Sequence, residues 1–200
     1  MPEAGYIAAI VLAAGRSTRF GSDKLLQPLR LEGLTAPLIV HSLQPWLQVF
    51  DALTLVVRPG DQALRAALSG VKGIRWVEAE DAGLGMGHSL AAGVAANAGA
   101  EGWLVGLADM PRLPAAAIRQ VRDALQQGGR LVAPFHQDRR GHPVGFGRSY
   151  ADALLALSGD AGARHILERD AAQLTRITVQ HAGVLIDIDQ PSDIETLIVI

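Results

Sequence analysis

Short apolar runs alternate with segments of helical periodicity along most of the chain. The apolar runs are continuous, which is typical of strands buried on both faces of a parallel sheet. The alternation predicts an α/β fold whose mostly parallel sheet is flanked by helices. The predicted strands are residues 7–13, 53–57, 74–78, 103–107 and 131–134, and the predicted helices between them are residues 37–48, 61–68, 88–98 and 114–127.

The pattern changes after residue 134. Strands are predicted at 143–146, 177–180 and 184–188, with helices at 151–157 and 163–169 and a last helix starting near Pro191. No linker rich in Pro, Gly or Ser separates the two halves of the chain. We therefore expect residues 1–200 to form a single domain in which the second half extends the same sheet in a mixed fashion.

Composition narrows the classes of function. The chain has 200 residues, of which 49% are hydrophobic, and a net charge of −2 without basic runs. It is therefore not expected to bind a nucleic-acid polymer, whereas a mononucleotide needs only a local cation cluster. Cysteine is absent, which excludes disulfides and thiolate metal sites. The apolar run at 6–14 is too short for a signal or a membrane span, so a cytoplasmic location without a membrane partner is expected.

The loop after the first predicted strand is the strongest candidate for chemistry. It gathers Arg19, Lys24 and two glycines with little side-chain bulk between them, which suits a polyphosphate. Lys24 is notable because Lys72 is the only other lysine in the chain, and a compact ammonium suits a point contact with a phosphate. The spacing matches neither a Walker A loop nor a GxGxxG motif.

Two further loops are expected at the same edge of the sheet, where ligands bind in such folds. The glycine-rich segment containing Gly85 and Ser89 precedes a predicted helix and would admit a flat ligand or an anion; the alternative is a flexible turn with a capping serine. Asp109 follows a strand and could hold Mg²⁺, or could cap a turn instead. Asp187 and Asp189 end another predicted strand, where alternation would let only one of them reach the metal.

Two residues of the second half are candidate contacts for a second substrate. His142 lies in a polar turn before an apolar strand, and either touches substrate or, as we favour, is solvated. Arg164 lies at the entry of a predicted helix and is a candidate anion contact.

Taken together, these residues resemble the MobA-like NTP transferase family, and within it the molybdenum cofactor cytidylyltransferase group. The resemblance covers nearly the whole chain. Further motifs of the family match residues 85–90, 109–111, 141–143, 159–164 and 187–189. The family signature LAAGxSxRxGxxK is matched by Leu12, Ala13, Ala14, Gly15, Ser17, Arg19, Gly21 and Lys24.

The resemblance implies a single-domain, Rossmann-like fold of the nucleotide-diphospho-sugar transferase type. It also implies an enzyme in which the phosphate of an acceptor attacks the α-phosphorus of an Mg²⁺-bound nucleoside triphosphate and pyrophosphate leaves. For the named group, the donor is CTP and the acceptor is molybdopterin. We favour CTP over GTP because the methyl group of Ala14 would trim the space for a purine.

The resemblance also implies residue roles. Arg19, Lys24 and Asp109 would be catalytic, Mg²⁺ would be held by Asp109 with Asp187 or Asp189, and His142 and Arg164 would contact the acceptor. Two alternatives stay open: a nucleotidyltransferase for a sugar or polyol phosphate, and a non-catalytic nucleotide-binding protein that handles a cofactor. The implied nucleotide-binding residues are Leu12, Ala13, Ala14, Gly15, Ser17, Gly85 and Ser89.

Overall fold

The computed structural model describes residues 5–15, 20–21 and 23–197. The strands are β1 (Ile7–Leu12), β2 (Pro28–Leu31), β3 (Leu34–Pro37), β4 (Leu53–Val57), β5 (Ile74–Glu78), β6 (Gly102–Leu107), β7 (Leu131–His136), β8 (Arg139–Arg140), β9 (Val144–Gly147) and β10 (Leu174–Thr178). The α-helices are α1 (Leu38–Leu47), α2 (Gln62–Ala67), α3 (Met86–Ala95), α4 (Ala115–Gln126), α5 (Ala151–Leu155), α6 (Arg164–Arg169) and α7 (Pro191–Leu197).

Eight of these strands form one mixed sheet with the order β10-β7-β9-β6-β1-β4-β5, and β8 pairs with β7. The pairs β6-β1, β1-β4, β4-β5 and β7-β10 are parallel, whereas β9 runs antiparallel to both of its neighbours. The predicted α/β fold with a mostly parallel, helix-flanked sheet is therefore confirmed, as is the mixed extension in the second half.

The central strands are apolar throughout because helices cover both faces of the sheet. Every residue of β1 and of β4 is buried. On one face α1 and α4 pack through Trp46 and Val121, and on the other α3, α5 and α6 pack through residues such as Leu90. Residues 55 and 57 of β4 face the first cluster and residue 56 the second, as the two-residue period of a strand requires.

A hairpin formed by β2 and β3 was missing from the expected elements. Its register pairs Leu31 with Leu34 across a two-residue Glu32-Gly33 turn. Both turn residues have positive φ, 51° and 83°, which is the backbone that a tight hairpin of the type I′ class needs. A search for apolar runs does not find this hairpin, because most of its residues are exposed or half-buried.

Of the strands predicted in the second half, one has different bounds and one is wrong. The strand expected at 177–180 is β10, which begins three residues earlier at Leu174; it is an edge strand whose polar residues hide its start. The strand expected at 184–188 is instead a 3-10 helix, Ala182–Leu185. Its backbone hydrogen bonds are not those of a strand pair. The Val184 carbonyl accepts from the His142 N–H at 2.9 Å, and the Gly183 carbonyl accepts from the Ile186 N–H at 3.4 Å.

The contact between β6 and α1 yields a prediction for core packing. A Cβ at Gly106 would overlap the ring of Trp46, which has no exposed surface. We expect Gly106→Ala to lower the free energy of unfolding by about 1–3 kcal/mol, because a rigid indole in a filled core cannot move aside without strain. Gly99→Ala is the control, since nothing lies within 4 Å of a Cβ there. Urea unfolding of both variants checks this, and equal stability of the two would contradict it.

Candidate active site

A cavity of about 410 Å³ opens at the carboxyl ends of β1 and β6. This is the edge of the sheet at which ligands bind in open α/β folds. Its wall combines small residues, three of them from the turn after β1, with charged side chains from distant parts of the chain. The lining residues are Leu12, Ala13, Ala14, Gly15, Lys24, Leu25, Ala82, Gly83, Gly85, Met86, Ser89, Leu107, Ala108, Asp109, Asp160 and Asp189.

The turn after β1 is held in place by the neighbouring strands. The Ala13 N–H donates to the Val56 carbonyl at 2.8 Å, and the Ala108 N–H donates to the Leu12 carbonyl at 3.0 Å. The chain therefore stays in line with the sheet up to Ala13 and turns away only afterwards. Gly15 is exposed, with open space where a side chain would be. A ligand can thus approach the backbone of this turn closely.

Lys24 is the charged centre of the cavity. Its Nζ donates to Asp109 Oδ2 at 2.6 Å and to the Ile188 carbonyl at 2.6 Å, and lies 3.4 Å from Asp189 Oδ1. The side chains of Lys24 and Asp109 are only 12% and 17% exposed. An ion pair so nearly closed off from water is expected to be tightly held, since removing either partner would leave a poorly solvated charge.

A second set of charges fixes the chain segment that carries Lys24. Asp23 accepts from the Leu25 N–H at 3.3 Å and so caps the short 3-10 helix Lys24–Leu26. The other oxygen of Asp23 accepts from Arg58 at 2.8 Å, and Arg58 also donates to Asp61 at 2.7 Å. Burial lowers the pKa of Arg58, but hydrogen bonds to Asp61 and Asp23 outweigh it and the pKa is raised. Arg58 therefore stays charged and anchors the start of the Lys24 helix.

The segment that carries Asp189 is fixed from its own side. The Ile188 N–H donates to the backbone carbonyl of Asp109 at 2.9 Å, so these two segments are joined directly. Asp193, in the first turn of α7, accepts from the Asp189 N–H at 2.8 Å and the Gln190 N–H at 2.9 Å. This is a capping-box arrangement, with a helix residue reaching back to the backbone at the helix start. It holds the backbone of Asp189 beside Lys24.

Oxygen atoms predominate around Lys24, which suits a hard divalent cation. Asp109, Asp189 and the Ile188 carbonyl already share one cation, the Lys24 ammonium. The second carboxylate oxygen of Asp109 is buried and has no hydrogen-bond partner among the described residues. No cluster of three or more His, Asp or Glu ligands occurs within residues 5–15, 20–21 and 23–197. Carboxylates completed by phosphate oxygens and water are the usual Mg²⁺ arrangement, and the residues present fit it.

Asp187 does not line the cavity, although the sequence makes it equivalent to Asp189. The expectation that strand alternation separates the two does not hold, because no strand is present there. Burial, and then the negative charges of Asp109 and Asp189, raise the pKa of the Asp187 carboxyl. Asp187 is thus an exposed neighbour of the acidic pair, and Asp189 is the one that reaches Lys24.

The glycine-rich loop forms the opposite wall of the cavity. Helix α3 begins at Met86, two residues before the predicted start, so Ser89 lies inside its first turn and does not cap it. Gly85 precedes the helix with a φ of 126° and packs so closely on the backbone of Gly159 that a Cβ would overlap it. The Gly87 N–H donates to the Gly159 carbonyl at 2.8 Å. Only glycine fits this contact between the two loops.

The two candidate acceptor contacts are not part of the cavity wall. His142 is not the solvated turn residue that we favoured: its Nδ1 is buried and has no partner among the described residues. Arg164 is exposed at the start of α6 and donates to Glu168 at 2.8 Å. Neither belongs to the described residues that line the cavity. Their contact with an acceptor therefore stays a prediction.

Comparison with known proteins identifies the family to which the chain belongs. The family model described as the MobA-like NTP transferase domain matches residues 9–176, which is most of the chain. The chain belongs to this family. The matched region includes Lys24 and Asp109 but ends before Asp187 and Asp189.

Relatives of this MobA-like protein include the purine catabolism protein PucB of Bacillus subtilis, which is 30% identical over 94% of both chains. The bifunctional protein GlmU of Sphingopyxis alaskensis is 33% identical over 85% of this chain. The chain spans only about a third of such GlmU proteins, 36% in this case. The solved structure of Rv0371c from Mycobacterium tuberculosis superposes with a TM-score of 0.82, at 29% identity and over 97% of both chains.

Some residues of the MobA-like signature lie outside the described part of the chain. Ser17 and Arg19 belong to the segment 16–19, whose structure is not described. Their predicted roles in nucleotide binding and catalysis therefore stay predictions. Of the described signature residues, 12–15 and Lys24 line the cavity together, whereas Gly21 is not among its lining residues.

Four polar residues that support or line this MobA-like site were given no role from the sequence, although Asp160 lies within the matched family motif 159–164. Asp160 lines the cavity beside the glycine-rich loop, and Arg58, Asp61 and Asp193 act behind it. Asp193 had a signal, since an acidic residue three positions after Gln190 fits a capping box. Arg58 had none, because its partner Asp23 is 35 positions away.

Among the described residues, no helix has the length and apolar character needed to cross a bilayer.

His142, which is half-buried with its Nδ1 closed off from solvent, yields a prediction for the pH dependence of stability. Burial, and then the charge of Arg140, lower its pKa from 6.5 to about 4, against smaller opposing effects of the Val105 carbonyl and Asp187. The unfolded chain therefore takes up this proton below pH 6.5 while the native protein does not, and stability is lost as the pH falls. Between pH 7 and 5, the free energy of unfolding should fall by about 1–2 kcal/mol more than in His142→Gln.

Urea unfolding at the two pH values measures this difference. His165→Gln is the matched control because His165 is exposed, and it should behave like the natural protein. An equal pH dependence in all three proteins would show that His142 takes its proton in the native state as readily as in the unfolded one.

Proposed function

We propose that this MobA-like protein is an Mg²⁺-dependent nucleotidyltransferase that transfers CMP from CTP to the phosphate of molybdopterin and releases pyrophosphate. The observation that carries the proposal is the joint placement of Lys24, Asp109 and Asp189 in a cavity that is also lined by the small residues of the turn after β1 and of the glycine-rich loop. Such a cavity offers charge to a triphosphate and close backbone contact to a flat base.

Asp109 and Asp189 would hold the metal, since their carboxylates already converge on one cation. When bound, Mg²⁺ would neutralise the charge of the triphosphate and of the leaving pyrophosphate. The manganese complex of Rv0371c, a structure 28% identical with a TM-score of 0.78 over 96% of this chain, supports a divalent metal in this fold.

The chain's own residues would act by positioning and by charge. The acceptor phosphate is already an anionic nucleophile at neutral pH, so its attack on the α-phosphorus needs no strong general base. Lys24, together with Arg19, would bind the triphosphate and stabilise the charge that develops on pyrophosphate. The turn from Ala13 to Gly15 would hold the nucleotide from one side, and the residues around Gly85 and Ser89 from the other.

The choice of CTP rests on the small-residue turn. Ala14 is almost completely buried against the cavity wall, so its methyl group limits the depth available to a base. We infer that a pyrimidine fits better than a purine there. The MobA-like family leaves the acceptor open, and a sugar or polyol phosphate is the competing acceptor. A non-catalytic role in handling a cofactor is the competing class of function.

Pyrophosphate release separates these possibilities. The purified protein is assayed with Mg²⁺ and each combination of CTP or GTP with molybdopterin, a sugar phosphate or a polyol phosphate. We expect CTP with molybdopterin to give the fastest release. Equal rates with GTP would contradict the base preference, faster release with a sugar or polyol phosphate would contradict the acceptor, and no release with any pair would support the non-catalytic alternative.

Substitution of Asp109 tests the metal role. We expect Asp109→Ala to lower Mg²⁺-dependent turnover by about a thousandfold or more, because the metal loses its nearly buried carboxylate. Circular dichroism should show that the fold is retained. Asp152→Ala, which removes an exposed carboxylate on α5, is the control and should leave turnover unchanged. Undiminished turnover of a folded Asp109→Ala protein would remove Asp109 from the metal site.

A further inference from the structure

The Lys24 ammonium occupies the position in which two carboxylates and a carbonyl converge. Asp109, Asp189 and the Ile188 carbonyl all lie within 3.4 Å of its Nζ. These are oxygen donors, and an ammonium and a divalent metal ion compete for the same kind of oxygen surroundings. The Lys24 ammonium therefore already occupies the position that a divalent metal ion would have to enter.

Asp109 lines the cavity with a side chain that is 17% exposed, and Lys24 holds one of its two carboxylate oxygens. Its Oδ2 is bonded to Lys24 at 2.6 Å, and its Oδ1 is buried away from solvent. A metal ion at Oδ2 would lie close to the ammonium and be repelled by it, and this repulsion is relieved if the lysine moves or the carboxylate turns. Moving the lysine is the easier change, since its long side chain is flexible while Asp109 is joined to the Ile188 segment through its own backbone.

The frame around the lysine is fixed, so its side chain is the movable part. Asp23, held by Arg58, anchors the start of the helix that carries Lys24, and Asp193 anchors the backbone of Asp189. Both anchors act on backbone and neither contacts the ammonium. The side chain of Lys24 can therefore swing toward the cavity while the rest of the site stays in place.

We propose that Lys24 is a resident substitute for the metal, which keeps divalent ions off Asp109 until a triphosphate draws its ammonium away. Metal and triphosphate then bind as a coupled pair, since each favours the arrangement in which Lys24 has left the carboxylates. A free divalent ion binds weakly because it must displace a cation that is already well paired. This inference rests on the proposed function for the identity of the triphosphate, but its metal test does not use catalysis.

Titration with Mn²⁺ in the absence of nucleotide tests the competition. We expect Lys24→Met to bind Mn²⁺ at least about tenfold more tightly than the natural protein, as judged by the free-ion signal in electron paramagnetic resonance, because a competing positive charge is gone. Lys72→Met, which removes the other, exposed lysine, should leave Mn²⁺ affinity unchanged. Unchanged or weaker Mn²⁺ binding by a folded Lys24→Met protein would overturn the proposal.

A second measurement uses the natural protein and does not depend on the folding of a variant. Because the chain has only two lysines, isotope labelling of lysine gives two side-chain signals in nuclear magnetic resonance, with Lys72 as the internal reference. We expect Mg²⁺ alone to leave the Lys24 signal in place, and Mg²⁺ with a non-hydrolysable CTP analogue to shift it. A shift of Lys24 with Mg²⁺ alone would overturn the proposal.

The phosphorus nuclear magnetic resonance spectrum of the same sample distinguishes failure of the exchange role of Lys24 from failure of nucleotide binding. If the analogue binds and the Lys24 signal does not move, the exchange role of Lys24 is wrong while nucleotide binding stands. If the analogue does not bind, the proposed use of CTP fails, and the Mn²⁺ titration still decides whether Lys24 competes with a metal.

Discussion

The contact between the Lys24 ammonium and the Asp109 carboxylate is the interaction on which this site depends. It joins the loop after β1 to the loop after β6, 85 positions apart, and through the Ile188 carbonyl it adds a segment near the C-terminus. A nearly buried pair of this kind is weak evidence for stability but places its members accurately. Backbone contacts already join the Asp109 and Ile188 segments, and this ion pair adds the loop that carries Lys24 to them.

The frame behind this contact explains how a flexible lysine is held in one place. Arg58 and Asp23 fix its helix from β4, Asp193 fixes the opposing backbone, and the parallel strands β1 and β6 set the separation between the loops. The supports are polar and close to the surface, whereas the strands are buried. The site thus combines a rigid apolar base with a charged rim, and changes in ligation can occur at the rim alone.

The sequence predicted the sheet well because the signals involved are local. Buried parallel strands such as β1 and β4 read as short apolar runs, and the LAAG turn with Lys24 and Asp109 follows directly from motif and position. Elements at the edge of the sheet were harder to predict from the sequence. Strand β10 is largely exposed, so it lacks an apolar run. The segment at 182–185 has an apolar composition, but its backbone forms hydrogen bonds with His142 and within its own turn. Arg58 could not be found, because its role comes from a partner distant in sequence.

The central proposal is that Lys24 pairs with Asp109 and Asp189 before the nucleotide binds and with the triphosphate afterwards. A crystal structure of the protein with Mg²⁺ and a non-hydrolysable CTP analogue measures this directly. The account predicts Lys24 Nζ within hydrogen-bond distance of a phosphate oxygen, and Mg²⁺ bound by Asp109 in its place. A complex in which Lys24 still donates to Asp109 while Mg²⁺ and the triphosphate are bound elsewhere would contradict it.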